Sequence, residues 1–306
     1  MAIMDYFTTP NKPALPPPPI DEIAAEVIRD LTQSFHLNTE SWWYGWLRKM
    51  LMVPVTKVAG LMQSVDLKVA TQSLWEAARD LLPRFSGGWE VEGDRHFPKE
   101  GPLLVVANHP GVMDAVAALA VLERPDVHLV ANARPTLEVL PNTSEHMVYL
   151  NKNTPARMTT LRNLIRLLEE GSTVVLFPRG GIEPEPALYP GALESVKHWS
   201  ESLGLFLSRV PETTLQLVLT QNVLTRQAWA HPLTKFGKTP GQKHEIGMVL
   251  QLIVQALFDK WKIPIKMTLP EPVSTEQLDP SLEPHALNAA VKRYVGDEME
   301  KTFVNL

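Results

Sequence analysis

The chain has 306 residues, of which 44% are hydrophobic and 21% are charged, and its formal net charge is -5. These values are typical of a globular protein with a sizeable core, and they exclude a disordered chain, a collagen and a coiled-coil rod. The lack of a basic excess argues against nucleic-acid binding as the main activity. Cysteine is absent, which excludes disulfides, thiolate metal sites and a cysteine nucleophile and fits a reducing compartment.

The sequence predicts neither a membrane-spanning helix nor a secretion signal. The longest uncharged apolar runs, such as residues 246–258, are shorter than the roughly 20 residues that cross a bilayer. Residues 1–9 contain no lysine or arginine, unlike the basic start of a signal peptide. We therefore expect a cytoplasmic protein. Residues 1–19 are rich in proline and predict an extended, flexible leader, with a ligand for a proline-binding domain as the alternative.

Residues 20–86 are predicted to form a small N-terminal helical domain. Four apolar residues recur there at helical spacing: Ile23, Val27, Ile28 and Leu31. A second helix is expected to begin near Ser41, which can cap it, and a third is expected over residues 65–82, ending before Pro83. The segment Ser86-Gly87-Gly88 interrupts the helical pattern, and we place the domain boundary there.

Residues 87–306 alternate short apolar runs with amphipathic helices. The runs predicted as strands are residues 103–107, 127–131, 147–150, 173–177, 215–219 and 263–269. Helices are predicted over residues 156–170, 245–261 and 284–303, the first ended by Gly171. This alternation indicates an α/β fold with a largely parallel or mixed sheet flanked by helices. In such folds chemistry collects in the loops beyond the carboxyl ends of the strands.

The strand at residues 103–107 leads directly into Asn108-His109-Pro110-Gly111-Val112-Met113-Asp114. Asp114 is expected in the first turn of the following helix, whose N-terminus stabilises a carboxylate. If Asp114 reaches one ring nitrogen of His109, it sets the tautomer, and the other nitrogen can take a proton from a bound hydroxyl. The spacing alone often arises by chance, so a histidine at a strand end beside a capping aspartate stays open as the alternative.

Three blocks of sequence resemble the glycerolipid acyltransferase family, which includes glycerol-3-phosphate and lysophosphatidate acyltransferases. The first comprises Val91-Glu92-Gly93, Phe97-Pro98, Gly101-Pro102, the strand at residues 103–107 and Asn108-His109-x4-Asp114. Another, Val174-Val175-Leu176-Phe177-Pro178-Arg179-Gly180-Gly181, is similar to the family's Phe-Pro-Glu-Gly-Thr-Arg block. Between them, Val148-Tyr149-Leu150-Asn151-Lys152 stands where the family has a strand ending in a basic residue.

The resemblance implies an O-acyltransferase that moves a fatty acyl group from a thioester to a hydroxyl of a glycerolipid-type acceptor. His109 would be the general base, and Asp114 would orient it. The donor would be acyl-CoA or an acyl-carrier protein, and no further cofactor or metal is expected. Two alternatives stay open: an acyl-thioester hydrolase in which His109 activates water, and a non-catalytic module that binds acyl groups or lipids.

The chain departs from the family pattern in the block similar to Phe-Pro-Glu-Gly-Thr-Arg, whose arginine contacts the acceptor phosphate in the family. The family's glutamate is Arg179 here, its threonine is Gly181 and its arginine is Ile182. Arg179 can supply the missing cation, the alternative being a surface arginine paired with Glu183 or Glu185. The predicted substrate-binding residues are Asn108, Lys152, Arg157, Arg179, Gly180 and Gly181. For Asn108 the alternative is a bond to its own backbone in a turn, and for Lys152 and Arg157 it is a solvated cation.

The segment at residues 41–65 combines aromatic and basic residues without an acid. Tryptophan with lysine and arginine beside an apolar face is typical of a helix lying in a membrane interface. The predicted membrane-contact residues are Trp42, Trp43, Trp46, Arg48 and Lys49, which would make the protein peripheral on the cytoplasmic face of a membrane. The alternative is a core helix whose tryptophans pack inside the protein.

Other catalytic motifs are missing from the sequence. There is no Gly-x-Ser-x-Gly nucleophile elbow, P-loop or dinucleotide fingerprint. His231, His244 and His285 lack the spacing of metal ligands, and they are expected at the surface or as helix caps.

Overall fold

The computed structural model describes residues 15–35, 37–93, 97–150 and 154–303. Most of the predicted leader, and the candidate residue Lys152, lie outside these ranges. The described residues form two compact units. Of these residues, the N-terminal unit comprises those up to Ser73 together with Arg134–Glu145, and the sheet unit comprises Leu74–Ala133 and those from His146 onward. The boundary predicted at residues 86–88 therefore falls inside the sheet unit, one helix later than the division between these units.

The elements alternate along most of the chain, as the sequence pattern predicts. The helices are α1 (Ile20–Ser34), α2 (Tyr44–Thr71), α3 (Leu74–Phe85), α4 (Met113–Leu122), α5 (Pro135–Glu138), α6 (Pro141–Ser144), α7 (Thr154–Glu169), α8 (Ala192–Ser195), α9 (Ser202–Arg209), α10 (Arg226–Trp229), α11 (Pro240–Phe258), α12 (Thr275–Leu278) and α13 (Pro284–Phe303). The strands are β1 (Trp89–Gly93), β2 (Leu103–Ala107), β3 (Val127–Asn132), β4 (Met147–Leu150), β5 (Thr173–Leu176), β6 (Thr214–Gln221), β7 (Ile265–Leu269) and β8 (Val273–Ser274).

In the N-terminal unit, α1 packs against α2 around a small apolar core. Its buried residues are Ile23, Ala24, Ile28, Val55, Ala59 and Leu140. The prediction that a third helix begins near residue 65 is wrong, because α2 continues to Thr71. Its buried face includes Asp66 and Val69 at helical spacing from Val55. Asp66 accepts hydrogen bonds from the side chain of Asn142 and the backbone of Thr143, both at 2.7 Å, which fastens α2 to α6.

The ends of two helices also differ from the prediction. Ser41 does not cap α2, whose N-cap residue is Trp43 and makes no side-chain cap hydrogen bond. In α3 the chain stays helical through Pro83 to Phe85. Since Leu82 and Phe85 are buried, we attribute this extra turn to tertiary packing, which overrides the local preference of proline.

The sheet unit is built on an eight-stranded mixed sheet, which confirms the predicted fold class. Seven strands follow the order β1-β7-β6-β2-β5-β3-β4, and β8 pairs with β6. The pairs β6–β7 and β6–β8 are antiparallel, while β2 is parallel to both β5 and β6. All five residues of β2 are buried, as expected for a central strand. The sequence pattern missed β1, an edge strand with an exposed Glu90 and Glu92, because it lacks a continuous apolar run.

Because β2, β5 and β6 are neighbouring parallel strands, their carboxyl ends meet at one edge of the sheet. The start of α11 reaches the same edge, as its contacts below show. This helix begins five residues earlier than predicted, since Thr239 caps it by accepting a hydrogen bond from the Gln242 amide and Pro240 occupies its first position. Among the described residues, no helix is both long and apolar enough to cross a membrane.

Candidate active site

His109 and Asp114 meet at the carboxyl end of β2. His109 Nδ1 lies 2.9 Å from Asp114 Oδ2, and the imidazole is 23% exposed whereas the Asp114 side chain is fully buried. The His109 ring also packs on Phe177, with ring centroids 4.4 Å apart. The two side chains are therefore in contact, as the sequence spacing suggested, with the imidazole partly exposed and the carboxyl group sheltered.

Asp114 is fixed by the loop that it closes. Its Oδ2 atom also accepts a hydrogen bond from the Gly111 amide at 2.9 Å, and Oδ1 accepts one from the Ala115 amide at 2.6 Å. The residue lies in the first turn of α4, as predicted. Three donors converging on one carboxyl group leave it little freedom to rotate, so the direction from which it meets His109 is set by the backbone.

Asn108 has a different role from the two that the sequence suggested. It is buried, and its side-chain amide donates to the Thr220 carbonyl at 2.8 Å while Oδ1 accepts from the Thr220 amide at 2.7 Å. Both polar ends of the side chain are thus bonded to β6 instead of a substrate or its own turn. Asn108 extends the β2–β6 pairing by one position and fixes where His109 leaves the sheet.

The loop after β5, residues 177–191, runs alongside His109. The Glu183 amide donates to the His109 carbonyl at 2.7 Å. Gly180, with a φ of 72°, closes a turn by donating to the Phe177 carbonyl, a backbone conformation that favours glycine. Arg179 is exposed, and its guanidinium donates to the Ile182 carbonyl at 2.7 Å. Arg179, Gly180 and Gly181 therefore lie between Phe177 and Glu183, two residues of this loop that contact His109.

Glu183 and Glu185 are buried, so the alternative in which Arg179 pairs with them at the surface is wrong. Glu183 Oε2 accepts from the Ser195 hydroxyl and the Trp199 indole, and burial raises the pKa of this carboxyl group. Sequence reasoning missed both acids as structural residues. The signal was the acid-proline repeat Glu183-Pro184-Glu185-Pro186, which begins six residues after the end of a predicted strand.

Glu185 ties the loop after β5 to the loop after β6. Its two carboxyl oxygens accept from three consecutive amides of the latter, those of Asn222, Val223 and Leu224, at 2.8–3.2 Å. Burial raises the pKa of Glu185 to about 7. In the same region, a Cβ on Gly111 would lie 2.5 Å from a Val223 methyl group, so only glycine fits at this approach between the loops.

His244, expected at the surface or as a cap, is instead fully buried beneath the site. It belongs to α11, and its Nε2 atom lies 2.8 Å from the Pro110 carbonyl. The Tyr189 hydroxyl lies 2.8 Å from Nδ1, and the Tyr189 ring stacks on Trp229 at 4.6 Å. Burial lowers the pKa of His244 to about 4. Little in the sequence indicated that His244 would be buried, because a lone histidine near the start of a helix is usually exposed.

The other two histidines meet the expectation. His231 accepts a hydrogen bond from the Leu233 amide and caps a short 3-10 helix, and His285 is exposed. Arg157, a predicted substrate contact, is exposed in the first turn of α7. Within the described parts of the chain, no group of three or more potential ligands could hold a metal ion.

A pocket of about 480 Å³ opens beside the loop after β5. It is lined by Arg179, Ile182, Pro184, Tyr189, Pro190, Trp229, Pro240, Gly241 and Glu245. Most of this lining is apolar, with one cation from Arg179 and one carboxylate from Glu245. Two connections link the pocket to the loop that carries His109. Glu183, which lies between the lining residues Ile182 and Pro184, donates its amide to the His109 carbonyl. The lining residue Tyr189 is hydrogen-bonded to His244, which in turn is bonded to the Pro110 carbonyl.

The predicted membrane-contact residues lie at the start of α2, in the N-terminal unit. Trp42 is 91% exposed and Trp46 64% exposed, and Met50 and Val53 continue the exposed apolar surface. Arg48 and Lys49 are exposed, whereas Trp43 is half-buried. The alternative in which these tryptophans form a core does not describe Trp42 and Trp46. We call Trp42, Trp46, Met50 and Val53 the α2 stripe.

Comparison with known proteins finds a family model that matches part of the chain. No curated protein sequence matches the chain. A solved structure that aligns with it is the 1-acyl-sn-glycerophosphate (LPA) acyltransferase PlsC from Thermotoga maritima, with 14% identity, a TM-score of 0.44, and coverage of 94% of this chain and 97% of that one. The acyltransferase family model matches residues 88–203, a range that includes His109 and Asp114. Residues 88–203 are therefore similar to the acyltransferase family, in agreement with the resemblance seen in the sequence motifs.

Proposed function

We propose that this protein is an acyltransferase that moves a fatty acyl group from an acyl thioester to a hydroxyl of a glycerolipid-type acceptor. The observation that carries the proposal is the 2.9 Å contact between His109 Nδ1 and the buried Asp114 carboxyl group, with the imidazole partly exposed. This is the arrangement of a base and the group that orients it, with the attacking hydroxyl supplied by the substrate.

In the proposed mechanism, Asp114 keeps the proton of His109 on Nδ1 and thereby directs the basic Nε2 atom to the substrate. Nε2 takes the proton of the acceptor hydroxyl while the hydroxyl oxygen attacks the thioester carbonyl carbon. The tetrahedral intermediate collapses, the carbon–sulfur bond breaks, and the imidazolium returns the proton to the leaving thiolate. Asp114 stabilises the transient imidazolium. The acceptor leaves as an ester, and the donor leaves as a free thiol.

The pocket beside the loop after β5 supports a lipid-like acceptor. Its lining is mostly apolar, and Arg179 adds a cation at its wall. A guanidinium binds phosphate through paired hydrogen bonds. We therefore propose that Arg179 takes the place of the phosphate-contact arginine that Ile182 replaces, with Gly180 and Gly181 forming a turn next to the bound group. Lys152 and Arg157 remain proposed substrate contacts on the sequence pattern.

The α2 stripe supports a peripheral contact with a membrane, where lipid acceptors are found. Residues 41–65 carry Arg48, Lys49 and Lys57 and no acid, so the exposed apolar surface is flanked by positive charge. Exposed tryptophans with basic neighbours favour the interface of an anionic bilayer. We propose that the protein meets its acceptor in this way on the cytoplasmic face.

The experiment is an acyl-transfer assay with purified protein and labelled acyl-CoA or acyl-carrier protein. The acceptors are a panel of glycerol phosphates, lysolipids and neutral alcohols. His109→Ala should lower turnover by at least about 100-fold, while the matched control His146→Ala should leave it unchanged. His146 is partly buried at the amino end of β4, away from the carboxyl edge of the sheet.

Two results would contradict the proposal. Near-normal turnover of His109→Ala in the folded state would remove His109 as the base. Consumption of the thioester without any acylated acceptor would instead favour the hydrolase.

A further inference from the structure

The buried pair of His244 and Tyr189 is not used by the mechanism above. His244 is 0% exposed, and both ring nitrogens have partners from other parts of the chain. Nε2 meets the carbonyl of Pro110, and Nδ1 meets the Tyr189 hydroxyl. A buried polar ring with two long-range hydrogen bonds joins α11 to two loops of the site.

The partners determine the tautomer of His244. A backbone carbonyl can only accept, so Nε2 must carry the proton and donate to Pro110. In the neutral ring Nδ1 is then an acceptor, and the Tyr189 hydroxyl donates to it. The lowered pKa of His244, caused by burial, agrees with a neutral ring. Asp114 and His109 are the other titratable groups that act on it.

Pro110 stands between the two residues that define the geometry of the base. His109 precedes it and Gly111 follows it. The Nδ1 atom of His109 and the amide nitrogen of Gly111 each lie 2.9 Å from Asp114 Oδ2. The His109 carbonyl is held separately by the Glu183 amide at 2.7 Å. Among the described residues, the donor that meets the Pro110 carbonyl is His244, and this bond fixes the plane of the peptide joining Pro110 to Gly111.

Tyr189 is held in turn by an aromatic stack. Its ring lies parallel to Trp229 within 5°, and Lys243 Nζ lies 4.1 Å from the centroid of the Trp229 ring. The ring of His244 meets both aromatic rings edge-on, at 5.7 Å from Tyr189 and 6.4 Å from Trp229. These contacts hold the Tyr189 ring in place, with its hydroxyl 2.8 Å from His244 Nδ1.

We propose that His244 is a positioning residue for acyl transfer: through Nε2 it holds the Pro110 carbonyl and so keeps His109 aligned with Asp114, and Tyr189 holds His244 in the required tautomer. This inference rests on the proposed role of His109 as the base. His244 touches no reacting atom, so its effect passes entirely through the loop. Misplacement of a catalytic group by about 1 Å can lower the rate by about 100-fold.

The test compares three variants that differ in which hydrogen bond they remove. His244→Gln keeps a side-chain N–H near the position of Nε2, His244→Leu removes both bonds, and Tyr189→Phe removes only the hydroxyl. Circular dichroism and thermal unfolding establish which variants are folded. The readouts are kcat and KM in the acyl-transfer assay and, without turnover, the downfield proton resonance of the His109 Nδ1–H group, assigned by its loss in His109→Gln.

We expect folded His244→Leu to lose about 100-fold in kcat with KM within about threefold of wild type. It should also shift or lose the His109 resonance. His244→Gln should recover kcat to within about fivefold of wild type, and Tyr189→Phe should lower kcat by about three- to tenfold. Recovery by glutamine is the signature that separates positioning from packing, since glutamine fills the space no better than leucine.

Several outcomes would overturn the inference. One is wild-type kcat and an unchanged His109 resonance in folded His244→Leu; another is a loss in His244→Gln as large as in His244→Leu. If His244→Leu does not fold, the other two variants decide. A wild-type kcat and His109 resonance in Tyr189→Phe, together with a roughly 100-fold loss of kcat in His244→Gln, would contradict the proposal. If the wild-type protein transfers no acyl group, the proposed function fails, whereas the resonance still tests the alignment of His109 by His244.

Discussion

Asn108 and Thr220 exchange two hydrogen bonds, of 2.8 and 2.7 Å, so that a side-chain amide replaces a backbone pair at the end of the β2–β6 ladder. The strand β2 is thereby held to its neighbour up to the residue before His109. A side chain that the sequence suggested as a substrate contact instead sets the point at which the loop begins.

Asn108→Ala should lower the free energy of unfolding by about 2–4 kcal/mol, because the Thr220 amide and carbonyl would both lose their partner inside the protein. Chemical denaturation measures the change. Asn163→Ala is the control, since Asn163 is half-buried on α7 and bonds only to Arg166 among the described contacts; its effect should stay within about 0.5 kcal/mol. Equal stability of Asn108→Ala and wild type would contradict this account.

Asp114→Asn should lower kcat by about 100- to 10,000-fold while the protein stays folded. The amide can no longer stabilise an imidazolium, and it favours the wrong tautomer of His109. Asp66→Asn is a matched control: Asp66 is equally buried and also accepts three hydrogen bonds, but it lies in the N-terminal unit. It should destabilise the protein and leave kcat unchanged. A similar kcat for Asp114→Asn and wild type would remove Asp114 from the mechanism.

Acid should weaken the fold through His244. Burial lowers the pKa of His244 from 6.5 to about 4 in the folded protein, so between these values the unfolded chain binds more protons and stability falls as pH falls. From pH 7.5 to pH 5 the loss from this group is about 2 kcal/mol. His244→Gln should lack this part of the pH dependence, as measured by denaturation at both pH values. Parallel pH profiles for the two proteins would show that His244 titrates normally.

Arg179→Ala should raise KM for a phosphate-bearing acceptor by about 10- to 100-fold, since a charged hydrogen bond to phosphate contributes about 1.5–3 kcal/mol. KM for a neutral alcohol should stay the same. Arg179→Lys should recover only part of the affinity, because lysine lacks the paired donors of the guanidinium. Arg157→Ala and Lys152→Ala, measured in the same way, show whether either contributes. An equal rise in KM for charged and neutral acceptors would contradict phosphate recognition by Arg179.

Replacing Trp42 and Trp46 together by alanine should weaken binding to anionic vesicles by about 100-fold, as expected for the loss of two partly inserted aromatic side chains. Flotation with vesicles of phosphatidylglycerol and phosphatidylcholine measures the bound fraction. Leu67→Ser provides the control, because Leu67 is 42% exposed on the same helix but lies about four turns beyond Val53. Unchanged flotation of the double variant would show that the α2 stripe is not a membrane contact.

Local patterns were enough to predict most of the strands and the position of the His109–Asp114 pair. β2 and β4 have their predicted bounds, and α13 spans the predicted residues, because a continuous apolar run or a strong helical period dominates the conformation of a short segment. The His109–Asp114 pair was predictable for the same reason. A strand, a tight turn and a helix start lie within a few residues of each other, so local geometry brings the two side chains together.

The sequence by itself determined the fold class and the contact between His109 and Asp114, since each depends on neighbours in the chain. Only the tertiary structure decided the roles of Asn108 and His244, whose partners are 112 and 134 residues away. It also decided that Glu183 and Glu185 are buried and that Trp42 and Trp46 are exposed. The physical reason is that burial and hydrogen bonding between distant segments depend on how the strands are ordered in the sheet, which no local period encodes.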